Sequence, residues 1–151
     1  MIPRACLWSG LERVLLALWV GALWTVGFVV APVLFAELDR HTAGTIAGIL
    51  FRYLNFAGLC IGAFLLLRNR LTARSPYDAP TLLLVLMLLS ILINEFGFAP
   101  EIVALREAGF AEGSEAAARF GRLHGAASVL YLINALFGVT LLAIWERRRP
   151  M

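Results

Sequence analysis

Four long runs of apolar residues constrain this chain more than any other feature. The first, Val14 to Ala31, is 18 residues without a charge. At a rise of about 1.5 Å per residue, such a helix crosses roughly 27 Å, close to the hydrocarbon thickness of a bilayer. The second runs from Ala43 to Leu67 and is apolar apart from Arg52, Asn55 and small hydroxylated residues near its start. The third, Thr81 to Ala99, opens after Pro80, whose missing N–H costs nothing at a helix start, and carries Asn94 and Glu95 near its far end before Pro100 kinks or interrupts it. The fourth is Ala126 to Trp145. Hydrophobic residues make up 61% of the chain and charged ones 15%, whereas soluble domains carry about a quarter charged. The expectation is one domain over residues 1–151, all-α and polytopic, with four transmembrane helices in a bundle.

A cleaved signal peptide competes for the first run, since Arg4 and Arg13 precede it. The run exceeds the usual apolar region of a signal, and Pro32 follows the candidate cleavage site Val29 to Ala31, so a span is the expected reading. Cys6 lies ahead of the first run and Cys60 inside the second, so they form no disulfide framework.

All 13 basic residues are arginine, and the formal net charge is +3. Most flank apolar runs, where arginine orients a membrane protein, and no nucleic-acid partner is expected from them. Four spans put both termini and the loop Arg68 to Ala79 on one side. That side holds Arg4, Arg13, Arg68, Arg70, Arg74, Arg147, Arg148 and Arg149, against Arg40, Arg106, Arg119 and Arg122 opposite. The asymmetry predicts cytoplasmic termini in a bacterial inner membrane, the arginine-only, alanine- and glycine-rich usage being compatible with a GC-rich bacterium. Between the third and fourth spans, Glu101 to Arg106 extends one helix, Ser114 caps the next, and Ala108 to Gly113 forms the turn. This predicts a helical extension beyond the outer face.

Small residues four apart let helix backbones approach where lipid supplies no hydrophobic drive. Ala17, Gly21 and Thr25, Gly44 with Gly48, Gly58 with Gly62, and Gly121 with Gly125 have this spacing. It does not separate packing within the chain from dimerisation.

Arg52 falls roughly 13 Å below the outer end of its helix, where insertion costs on the order of 2.5 to 3.5 kcal/mol. Glu95 lies at a shallower depth on the same side, which makes an ion pair geometrically reasonable. The competing reading has Arg52 snorkelling to the headgroups and Glu95 solvated or protonated. Around them, Asn55, Asn94, His124, Ser128, Tyr131 and Asn134 can line one polar seam from the outer surface toward mid-membrane. That seam is either a binding pocket or proton path, or hydrogen-bonding glue between helices. His41, Asp39, Glu37 and Glu101 have no metal-ligand spacing, and haem between helices would find only His124 on a span, so no metal, cofactor or catalytic residue is assigned.

The segments Ala31-Pro-Val-Leu-Phe35, Asn94 to Pro100 with Leu105-Arg106, and Phe120-Gly-Arg-Leu-His-Gly125 resemble the transmembrane protein 205-like family. These are small four-helix membrane proteins, uncharacterised in activity, and the likeness covers Val14 to Trp145. It implies a four-span bundle and adds no mechanism. One departure is Tyr131, where an asparagine seven residues after the histidine is expected; the nearest is Asn134. Trp19-Val-Gly21 faintly resembles membrane proteins of copper resistance, but their histidine ligands have no match. The functional expectation is a non-enzymatic binding or assembly module with an outer-leaflet polar seam, set in the lipid bilayer, with a homo-oligomer or a membrane-protein partner as the candidate assemblies. A subunit of a small-molecule or metal transporter and a haem- or metal-binding membrane enzyme are the rivals.

Overall fold

The computed structural model describes residues 4–72 and 78–145. Arg74 and Arg147 to Arg149, counted above for orientation, lie outside the described residues. The described residues form six α-helices: α1 (Arg4–Thr25), α2 (Ala31–Glu37), α3 (Arg40–Thr72), α4 (Ala79–Leu92), α5 (Ala99–Ala108) and α6 (Glu115–Trp145). Two π-helical turns, Val26–Val30 and Ile93–Phe98, join α1 to α2 and α4 to α5 into continuous rods. The result is four helices long and apolar enough to cross a membrane, of 30 to 32 residues each. At about 1.5 Å per residue each is about 45 to 48 Å long, so each exceeds the thickness of a hydrocarbon core of about 30 Å.

Each π turn ends two residues before a proline, and the proline explains it. Pro32 and Pro100 occupy the second position of α2 and α5. A proline ring inside a helix offers no N–H and collides with the carbonyl four residues back. Widening the preceding turn moves that carbonyl aside. The N–H of Ala31 accordingly donates to the Val26 carbonyl, and that of Ala99 to Asn94, each five residues back. The third rod is therefore continued, not ended, at Pro100.

Polar caps fix the helix starts. Asp39 accepts from the backbone N–H groups of His41 and Thr42, both at 3.0 Å, at the start of α3. Asp78 accepts from the Thr81 N–H at 3.1 Å at the start of α4. Ser114 Oγ accepts from the Ala117 N–H at 3.2 Å ahead of α6. Between α5 and α6 the backbone turns through Gly109 and Gly113, with φ of 67° and 77°, a region open to glycine and costly for other residues.

The rods pack as a closed square in which α1 and α4 each contact α3 and α6. Leu16, Trp19, Val20 and Leu23 of α1 meet Leu54 and Leu65 of α3, Leu84, Met87 and Ile91 of α4, and Leu141 and Trp145 of α6. Leu18, Phe96 and Val129 point outward with 64%, 65% and 58% of their surface exposed, an arrangement that requires lipid around the bundle. Trp19 fills the seam between α1 and α3: a Cβ on Gly58 would stand 2.6 Å from its Nε1, and one on Gly62 3.1 Å from its Cη2. Those two glycines admit an indole between the helices. Gly21, Gly121 and Gly125 instead face open space.

Candidate functional site

A carboxylate inside an apolar bundle must be paired or neutral, because an isolated charge in low dielectric is prohibitively costly. Glu95 sits on the second π turn with 7% of its surface exposed. Its Oε1 accepts from Arg52 Nε at 3.1 Å, and its Oε2 from Asn55 Nδ2 at 3.0 Å. Both donors come from one face of α3, three residues apart, so a single carboxylate on the π turn after α4 is held by two neighbouring positions of the adjacent helix. Asn55 is 6% exposed. Arg52 differs: its side chain is 57% exposed while that of Glu95 is 6% exposed. The guanidinium thus anchors inward through Nε and turns its terminal nitrogens to the outside of the bundle. Arginine leans toward the N-terminal end of its helix, which is the nearer end for Arg52.

The other seam candidates do not join this cluster into one continuous path. Asn94 is half-buried on the same π turn and makes no side-chain hydrogen bond to it. Tyr131 crosses to α1, where its hydroxyl donates to the Leu23 carbonyl at 2.5 Å, and its ring packs edge-on to Phe51 at 5.0 Å. A Cβ at Gly27 would meet that ring at 2.5 Å, so Gly27 makes room for the tyrosine beside the first π turn. Ser128 donates to the His124 carbonyl of its own helix at 2.8 Å, and both residues are exposed. Asn134 is 3% exposed and its Oδ1 has no partner among the described residues.

At the end of the bundle nearer Arg52, the motif residues of α5 and α6 meet. Arg106 Nη1 donates to the Gly44 carbonyl at 2.7 Å, and its guanidinium lies 5.9 Å from the centre of the Phe120 ring. Phe120 stacks on His124 at 5.7 Å and packs against Phe110 at 5.1 Å with the rings tilted by 40°. Gly44 and Gly48 therefore receive an arginine side chain, not a helix backbone: a Cβ at Gly44 would lie 3.3 Å from the guanidinium carbon. Beside them Arg119 pairs with Glu101. That pair borders an open groove of about 520 Å³ also lined by Glu115 and Arg122.

A second buried ion pair escaped sequence reasoning. Glu12, 1% exposed, accepts from Arg68 Nε at 3.1 Å near the opposite end, and Arg68 also lies 5.1 Å over the Trp8 ring. Next to it Asn69 donates to Asp78 and to Thr81 Oγ1, the latter at 2.8 Å. The usable signal is a lone acid, Glu12, about two turns inside a long apolar helix. Among the described residues, no group of three or more His, Cys, Asp or Glu side chains could hold a metal ion.

Residues 14–111 match a domain of unknown function, DUF4149. No curated protein matches the chain, and no solved structure does.

Proposed function

The chain belongs to the DUF4149 family, and we propose that it acts as a non-enzymatic binding or assembly module of the membrane, built around the Glu95 cluster. One observation carries this reading. Glu95 is sealed inside the bundle, while the arginine it holds is more than half exposed to the outside. A charge fixed at membrane depth and aimed outward is costly for a bundle that meets lipid alone, and is useful when a neighbouring helix supplies acceptors. Gly21, Gly121 and Gly125 support the same reading, since they open outward and let a second helix come close.

We further infer that the termini are cytoplasmic in an inner membrane, from the distribution of arginine. On that orientation the Arg52 and Arg106 end is outer, and α5 with the start of α6 forms a hairpin beyond the outer face. The Phe120 to Gly125 segment supports a relationship to transmembrane protein 205-like proteins within this frame.

Crosslinking in native membranes tests the assembly reading. The expected result is a species larger than one chain that falls several-fold in Arg52→Gln and persists in Arg122→Gln, a surface control. Equal crosslinking in both variants, or a chain that stays single in the native membrane, overturns it.

A further inference from the structure

Arg106 is the charge the Glu95 cluster leaves unexplained. It is half-buried, and among the described residues it makes no ion pair. Its protein contacts are the Gly44 carbonyl and the face of Phe120. A guanidinium has five N–H donors in a planar fork, and only one is used. Gly44 and Gly48 support one face, since a Cβ at either would stand 3.3 to 3.4 Å from guanidinium atoms. The guanidinium carbon also lies 5.9 Å from the centre of the Phe120 ring, on which His124 stacks. The group is thus seated between two glycines and an aromatic ring with four of its five donors uncommitted among the described residues, a fork that suits a planar pair of oxygen acceptors.

Depth identifies the class of acceptor. Gly44 lies four residues into α3, about 6 Å along the helix axis, and Arg106 two residues from the end of α5. Gly44 is the second residue of the apolar run Ala43 to Leu67, and Arg106 lies beyond Ala99, where the third run ends, so this site stands at the edge of the apolar runs, where lipid headgroups begin. Exposed Phe110, at 40%, lies beside it, as aromatic residues do at a membrane interface. We propose that Arg106, seated on Gly44 and Gly48 and flanked by Phe120 and His124, binds the phosphate of an anionic phospholipid headgroup.

Native mass spectrometry of the full chain, released from vesicles of phosphatidylcholine doped with phosphatidylglycerol, tests this. The expected result is one retained phosphatidylglycerol per chain, enriched at least tenfold over its share of the vesicle. Arg106→Gln should abolish the enrichment, and Arg106→Lys, which keeps the charge and loses the fork, should retain part of it. Circular dichroism melts identify which variants remain folded; should Arg106→Gln not fold, Phe120→Leu, which removes the aromatic wall and keeps Arg106, should reduce the enrichment several-fold. No preference for phosphatidylglycerol, or a preference that survives Arg106→Gln in folded protein, overturns the proposal. Displacement of the lipid by millimolar inorganic phosphate would overturn the lipid as the source and reassign the site to free phosphate.

Discussion

Alanine at Gly58 should destabilise the bundle, whereas the same change at Gly21 should not. At Gly58 the new methyl would stand 2.6 Å from Trp19 Nε1, 3.0 Å from its Cε2 and 3.1 Å from Ile91 Cδ1. Trp19 is 1% exposed and wedged between α1 and α3, so neither indole atom can retreat without moving a helix. Overpacking of this kind costs about 1 to 3 kcal/mol. The gain in helix propensity from glycine to alanine offsets at most about 1 kcal/mol of it. With the full offset taken, the net loss is up to about 2 kcal/mol, and the difference from Gly21→Ala is the whole overpacking cost of about 1 to 3 kcal/mol. At Gly21 nothing lies within 4 Å of the added methyl, and only the propensity gain remains. Reversible unfolding in mixed micelles, followed by tryptophan fluorescence, compares the two directly. Equal stability of Gly58→Ala and Gly21→Ala, or a larger loss at Gly21, would refute the packing argument.

Three further outcomes follow from other contacts. Tyr131→Phe removes the hydroxyl that donates to the Leu23 carbonyl and should lower stability by about 1 kcal/mol in the same unfolding assay, with no change of fold. Glu12→Ala leaves Arg68 only 25% exposed and without this carboxylate; the expected loss is about 2 to 3 kcal/mol, below the range for a fully buried pair because Arg68 retains Trp8 and some solvent, and a loss under about 0.5 kcal/mol would count against a structural role. Hydrogen bonds from Thr42 first, then from the His41 amide, hold the exposed Asp39 carboxyl below its ordinary value of 3.8. Its capping contribution is therefore present above the unfolded carboxyl's pKa and is lost as pH falls through the lowered folded value, so amide exchange at Thr42 should accelerate on acidification in wild type and be pH-insensitive, beyond intrinsic exchange, in Asp39→Asn.

The spans were legible in the sequence because hydropathy depends on neither helix rotation nor partner choice. Arg52 opposite Glu95 was legible for a similar reason: counting residues from helix ends gives depth, and a costly arginine at one depth seeks an acid at the same depth. The polar seam was less legible because it also required the rotation of each helix. His124 and Ser128 turn out to be exposed, Tyr131 reaches α1, and Asn134 is buried. Spacing alone could not distinguish an indole between helices at Gly58 and Gly62, an arginine on Gly44 and Gly48, and open space at Gly121 and Gly125. Glu12 was not legible as a buried charge because the uninterrupted apolar run begins two residues later, at Val14, although the helix starts at Arg4. The proline at 100 signalled a disturbance; that it widens a turn and does not end the helix depends on the neighbouring helices that keep the rod in place.

A double-mutant cycle on Arg52 and Glu95 tests the central claim most directly. Unfolding free energies of Arg52→Ala, Glu95→Ala and the double variant, measured in the same micelles, should give a coupling of about 1 to 2 kcal/mol, with Asn55→Ala adding a smaller coupling to Glu95. A coupling below about 0.3 kcal/mol would mean that Arg52 and Glu95 act independently, and would contradict a module organised around a buried carboxylate that holds its arginine outward.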